Sequence, residues 1–202
     1  MKKLFYSFLM LAAMSLTFVA CEKPTPTPPD PEPEVKSNCN IIKAQWGEDA
    51  VGGVYVFELF TNTLAITPDF KSITGSGDDC IIMLYAATQE DGYPVAGEYQ
   101  FIAVENLTKE STNCLIGGTV QNGKPLGTYA YVVEEGSPVD GLLCTGGSIK
   151  FEGNATEGIM TAKLEFESTV TKETVTREYV YSGEMPLEYR PMDAPSQAKR
   201  IK

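Results

Sequence analysis

Gly158-Ile159-Met160-Thr161-Ala162-Lys163-Leu164-Glu165-Phe166-Glu167-Ser168 is the stretch whose reading decides the fold. Met160, Ala162, Leu164 and Phe166 alternate with Thr161, Lys163, Glu165 and Glu167. In an extended chain, residues two apart share a face. One face is therefore apolar and the other wet, as in a strand of an antiparallel sheet with one side in water. The run that follows, Thr174 to Tyr181, carries Val175, Tyr179 and Tyr181 among polar residues and ends at Gly183. Together the two runs predict a hairpin.

Working outward, period two recurs from Cys39 onward in segments rich in Val, Ile, Tyr, Phe and Thr, separated by Gly, Asn, Asp and Pro. These signals predict strands near 39–46, 53–61, 79–88, 97–104, 113–120, 127–134, 142–152, 158–168 and 174–184. Gly53-Val54-Tyr55-Val56-Phe57, Gly97-Glu98-Tyr99-Gln100-Phe101 and Gly127-Thr128-Tyr129-Ala130-Tyr131 share one form, and Gly147-Ser148-Ile149-Lys150-Phe151 is a variant. Each opens on glycine, which permits a turn or bulge at strand entry, and then places bulky residues on one face. No segment carries a helical stripe. Leu64 to Ile73, interrupted by Pro68, is the expected short helix or irregular insert. The fold class is all-β, an antiparallel meander of about eight to ten strands closed as a small barrel, with a two-sheet β-sandwich as the alternative.

The N-terminus has a different character. Lys2 and Lys3 precede an apolar run from Leu4 to Val19, then small Ala20 and Cys21, the layout of a lipoprotein signal. Ser7, Ser15 and Thr17 interrupt the run, and Glu22 and Lys23 follow it, so it falls short of the ~20 apolar residues of a membrane span. The mature chain is expected to begin at a lipidated Cys21, with acyl chains contributing ~0.8 kcal/mol per buried methylene. Residues 22–34 are rich in proline and favour extended polyproline II, a tether reaching about 40 Å. The expected organisation is a signal peptide over 1–20, the lipidated cysteine and tether over 21–38, a β domain over 39–189 and a flexible tail over 190–202. A folded part of about 150 residues buries enough surface in one core to need no staple.

Composition excludes several function classes. Without residues 1–20, which hold two lysines and no acids, the formal charge moves from −11 to −13. Phosphate binding needs clustered Lys and Arg, and the basic cluster here is Lys199, Arg200 and Lys202 in the tail, so no nucleic-acid partner is expected. The chain has no histidine, which removes Ser-His-Asp and Cys-His catalysis and histidine-ligated zinc. Neither an enzyme activity nor a metal or other cofactor is expected.

With Cys21 assigned to the lipid, Cys39, Cys80, Cys114 and Cys144 remain. An exported chain meets a compartment where disulfides form; four cysteines allow three pairings, and a bridge from Cys114 to Cys144 is the expectation, with buried thiols as the alternative. No C-x-x-C pair points to zinc. The acidic pairs Glu48-Asp49, Asp78-Asp79, Glu90-Asp91 and Glu134-Glu135 fall at expected turns, where solvation explains them better than a glycosidase pair does. Gly75-Ser76-Gly77-Asp78-Asp79 offers hard oxygen ligands but lacks the spacing of a calcium loop. Among Trp46, Tyr85, Tyr93, Tyr99, Tyr129, Tyr131, Tyr179 and Tyr181, most belong to a core by their spacing. Trp46 and Tyr93 lie near strand ends and are the expected ligand-binding rim.

The lipidated cysteine with its proline-rich tether, Pro94-Val95-Ala96-Gly97-Glu98-Tyr99, Gly146-Gly147-Ser148-Ile149 and Tyr179-Val180-Tyr181-Ser182-Gly183 resemble small cell-envelope lipoproteins of the Bacteroides group over most of 39–189. The resemblance implies a calycin-like or related β-barrel and supplies no catalytic residues. It also implies a lipid anchor in the outer membrane, facing either the periplasm or the cell surface. Glu22-Lys23-Pro24 stands where an acidic cluster marks surface export in that group, so both placements stay open. The expected function is a non-catalytic binding module for a glycan fragment or small apolar ligand. The alternative is a structural or protein-interaction component of the envelope with a filled core.

Overall fold

A computed structural model describes residues 36–48, 53–67, 71–108 and 110–190. Among them the chain is all-β, with one 3-10 turn at Val104–Asn106 and no α-helix. In chain order the strands are β1 (Cys39–Glu48), β2 (Gly53–Thr61), β3 (Leu64–Ile66), β4 (Ile73–Gly75), β5 (Gly77–Ala86), β6 (Gly97–Ile102) and β7 (Cys114–Ile116). They continue with β8 (Thr119–Gln121), β9 (Lys124–Leu126), β10 (Tyr129–Glu134), β11 (Ser137–Gly153), β12 (Gly158–Ser168), β13 (Thr174–Gly183) and β14 (Glu188–Tyr189). The signal peptide, Cys21, all but the last three residues of the expected tether, and the tail beyond Arg190 lie outside the described residues.

Strands β5, β10, β11, β6 and β7 pair edge to edge and close into a small five-stranded barrel. The sheet continues outside it, from β5 through β2 and β1 to β14, and from β11 through β12 to β13. The two extensions meet where Asn38 stands in for a strand. Its backbone N–H donates to Val180 O at 2.9 Å, its Nδ2 donates to Glu178 O at 2.8 Å, and its Oδ1 accepts from Val180 N at 2.8 Å. This covers part of the β13 edge, which would otherwise offer unpaired backbone groups to other chains.

The barrel is mixed, which corrects the expected pure antiparallel meander. β6 and β7 run parallel, as do β1 and β14. Parallel neighbours need a crossover rather than a tight turn. The crossover between β6 and β7 is held down by Val104 and Leu107, which bury beside Val54, Tyr85, Cys114 and Ile116 in a small apolar cluster. The insert expected at Leu64–Ile73 is a hairpin, β3 with β4. Leu64 packs with Phe60 and Val133, so a tertiary contact decides the conformation of a segment whose local pattern is weak. The strand expected over 113–120 is broken between β7 and β8.

β11 is long enough to serve two partners because it bends. Its register against β12 slips between Cys144 and Gly146. Next to this bulge Gly147 has φ +104°, and a Cβ there would lie 2.1 Å from Lys163 O. Only glycine fits a left-handed backbone so close to a neighbouring carbonyl. The first half of β11 therefore pairs with β10 and the second half with β6.

The main core collects the alternate residues predicted by period two: Tyr55, Phe57 and Leu59 of β2, Ile82 and Leu84 of β5, and Met160, Ala162, Leu164 and Phe166 of β12. All are buried. Each large apolar side chain placed there contributes about 1.5–3 kcal/mol relative to leaving it in water. The interior is thus occupied by the protein's own side chains.

Candidate functional site

The expected rim does not form. Tyr93 is fully buried, edge-on to Phe151 at 5.8 Å between ring centroids, and its hydroxyl has no hydrogen-bond partner. The reason is local. Asp91 Oδ1 accepts the Tyr93 N–H at 2.9 Å, and Gln89 N donates to Tyr93 O at 2.8 Å; this turn aims the ring inward. Trp46 is half-buried, stacked at 6.3 Å on Tyr55 and edge-on to Tyr189 at 4.9 Å.

The expected bridge does not form either. Cys114 lies in the small outer cluster with Val54 and Tyr85, whereas Cys144 lies in the main core and donates its Sγ hydrogen to Gly146 O at 3.3 Å. The two side chains belong to different apolar clusters, and all four thiols are buried and not joined in disulfides. Burial pushes the thiol of Cys39 up to about 11 and that of Cys144 up to about 12, and drives Cys80 well above its ordinary value. These three carry almost no thiolate at neutral pH, the form that attacks electrophiles or binds metals.

Asp78 and Asp79, read from sequence as a turn pair, sit on β5 and project to opposite faces. They cannot share a calcium ion. Asp78 turns inward, where its Oδ2 accepts from Arg177 Nε at 3.0 Å and from the Tyr179 hydroxyl at 3.1 Å. Asp79 turns outward, opposite Phe60 on β2 and Tyr131 on β10.

The outer face around Tyr131 is where exposed chemistry collects. Tyr129 and Tyr131 project from β10 on the same side, with rings 5.7 Å apart in an edge-to-face arrangement, and both are half-buried. Across β5 they face Ile81 and Asp79, and one strand further Glu58 lies opposite Ile81. Two hairpins flank the pair. β3–β4 brings Ile66 and Ile73 to the apolar cluster that Tyr131 joins. β8–β9 brings Val120, Gly123 and Pro125 over a cleft of about 180 Å³ that both tyrosines line. Opposite Tyr131 on β11 stands Gly141, which adds no side chain of its own beside the ring.

The β8–β9 hairpin turns at Asn122 and Gly123, with φ +53° and +75°, the left-handed pair that a two-residue turn of this hand requires. That dipeptide is a signal in the sequence: it marks a hairpin just before Tyr129 and so singles out this tyrosine pair over the others. Glu58 and Asp79 carry no such local mark, because only strand pairing brings them beside Tyr129. A second cleft, about 210 Å³, runs between β1 and the segment before β14, lined by Ile41, Lys43, Glu184, Pro186 and Glu188 without an aromatic ring.

The electrostatics of the tyrosine face are acidic. Burial raises Asp79 from 3.8 to about 6, and the charge of Glu58 adds to the shift. The Tyr129 hydroxyl is pushed up to about 12 by burial, then by Tyr131, Asp79 and Glu58. Asp79 Oδ1 is shielded from water and has no hydrogen-bond partner.

Below the ordinary carboxylate value both folded and unfolded chains hold the Asp79 proton. Between about pH 4 and about pH 6 the folded chain keeps a proton that the unfolded chain has released, so stability falls as pH rises through that window and stays lower above it. With allowance for partial exposure, Asp79→Asn is expected to raise stability at about pH 8 by about 1–2 kcal/mol and to leave it nearly unchanged at about pH 4. Urea midpoints at the two pH values check this; an equal effect at both would mean that charge is not the cause.

No known family model matches the chain, and no curated protein or solved structure is significantly similar to it.

Proposed function

We propose that the protein is a membrane-anchored envelope lipoprotein whose β domain is a non-catalytic binding module for a glycan fragment, held at the outer cleft beside Tyr129 and Tyr131. The observation that carries this reading is a half-buried aromatic pair lining an outer cleft, on a domain whose interior is filled. Sugar rings present apolar faces that pack on aromatic rings, while their hydroxyls seek the polar groups at the edge. Trp46 and Tyr93, the sequence candidates, face the main core instead. The anchor rests on Lys2, Lys3, the apolar run and Cys21.

The test is isothermal titration of the purified chain against a panel of neutral oligosaccharides. Tyr129→Ala is expected to weaken the best ligand by about tenfold, roughly the 1–1.5 kcal/mol that an aromatic stack contributes. Trp46→Ala is expected to change affinity by less than about twofold, since it leaves the outer face intact. Equal affinities for the chain and its Tyr129→Ala variant would overturn the reading. The second reading, a protein-interaction component, is favoured by apolar Val120, 54% exposed on β8 of the β8–β9 hairpin, and predicts no saccharide binding at all.

A further inference from the structure

A turn from outside the barrel forms part of the wall of this cleft. Thr169, in the turn between β12 and β13, lines it, and its backbone N–H donates to Gly141 O at 2.7 Å. Asp140 holds the same turn: its Oδ2 accepts from Ser168 Oγ at 2.6 Å, and its Oδ1 accepts from Val170 N and from Thr169 Oγ1, each at 3.3 Å. Gly141 makes room for the contact. Its backbone is not left-handed, so conformation does not call for glycine there. A Cβ would instead lie 3.1 Å from Thr169 Oγ1 and 3.5 Å from its Cγ2. Glycine thus lets the threonine side chain settle on the strand position that faces Tyr131.

The chemistry of the wall follows from its residues. Among the described residues that line the cleft, only Thr169 and the two tyrosines have polar side chains, and none is charged. An ionised group seated there would lose water without gaining a counter-charge, which is costly. An anion would in addition approach a chain of net charge −11. A hydroxyl has one hydrogen to donate and two lone pairs with which to accept. The Thr169 hydrogen goes to Asp140, so what this exposed side chain offers a ligand is acceptance. A sugar hydroxyl supplies the matching donor, while an apolar face of the same ring packs on a tyrosine.

We infer that the cleft takes uncharged sugars and that Thr169 is its specificity-determining residue, accepting a hydrogen bond from one ring hydroxyl and so selecting among epimers. This rests on the cleft being the glycan site. Asp140 is the positioning residue behind it: by taking the threonine hydrogen it keeps the lone pairs for the ligand.

The experiment titrates the purified full chain with cellohexaose, mannohexaose and maltohexaose, and with each after oxidation of its primary hydroxyls to carboxylates. Salt at about 0.15 M screens the diffuse charge of the chain beyond ~8 Å. Thr169→Val, which keeps the shape and removes the hydroxyl, is expected to weaken the tightest neutral oligomer by about three- to tenfold, the range of a neutral hydrogen bond, and to bring the ratios among the neutral oligomers toward unity. Thr169→Ser, which keeps the hydroxyl, should stay within about twofold of the unchanged chain. The oxidised oligomers are expected to bind at least about tenfold more weakly than their parents. The inference falls if Thr169→Val leaves affinity unchanged, if it weakens every oligomer equally, if Thr169→Ser loses as much, or if the oxidised oligomers bind as well as their parents. The cleft reading survives any of these results if Tyr129→Ala still weakens binding. Binding of none of the oligomers overturns the inference, and the wider neutral panel then decides the cleft separately.

Discussion

Phe151→Ala is expected to destabilise the domain by about 3–5 kcal/mol, the range for removing a buried aromatic ring from a packed core. Phe151 is fully buried on the second half of β11. Its ring meets Phe57 at 5.3 Å, Tyr93 at 5.8 Å and Tyr99 at 5.8 Å, the last two edge-on. One side chain thereby ties β2, β6 and the turn before β6 to the strand that carries the bend at Gly147. Its backbone pairs with Gly97 on one side and Met160 on the other, which limits how far the walls can collapse into the space left behind. Phe151→Leu, which keeps most of the volume, should cost about half as much or less. Urea unfolding followed by tyrosine fluorescence and far-UV circular dichroism measures both. A loss under about 1 kcal/mol for the alanine variant would mean that the aromatic cluster is not the centre of the core.

Arg177→Ala is expected to cost about 2–4 kcal/mol, less than for a fully buried pair because the guanidinium is partly in water. The Asp78 side chain is 10% exposed and that of Arg177 36%. Removing the arginine leaves an acid among Cys80, Tyr179 and the apolar core with one tyrosine hydroxyl to satisfy it. The penalty comes from that stranded charge rather than from the lost attraction. A second substitution should therefore restore much of the loss: Asp78→Leu in the Arg177→Met background is expected to recover at least about half. A double-mutant cycle by denaturant unfolding checks this, and simple additivity of the two single losses would refute the account. The surface pairs Lys163–Glu178 and Lys172–Glu167, all more than a third exposed, should show no comparable effect.

The contrast between Asp78 and Asp79 shows where sequence reasoning stops. Adjacent acids after Gly75-Ser76-Gly77 read as a turn, yet they lie on β5, one facing in and one facing out. Neither partner is near in sequence: Arg177 lies on β13, and Tyr131 on β10. The same holds for Tyr93. Its place after Asp91-Gly92 marks a turn, but whether a turn aromatic points outward or inward depends on the space available under it, and Phe151 supplies that space from β11.

Alternation along the chain was enough to determine the all-β class and most strand positions, because burying one face of an extended segment imposes period two wherever it occurs. β2, β12 and β13 start and end within about a residue of their expected bounds for that reason. The absence of histidine and the acidic balance also follow from composition alone. Tertiary structure decided the rest. Which edges join to close the barrel, the parallel pairing of β6 with β7, the separation of Cys114 from Cys144, and the meeting of Glu58, Asp79, Tyr129 and Tyr131 on one face all depend on contacts between residues far apart in the chain. Local pattern records which side of a strand is apolar, but not which strand lies beside it. Side-chain packing selects the neighbour, and with it the site.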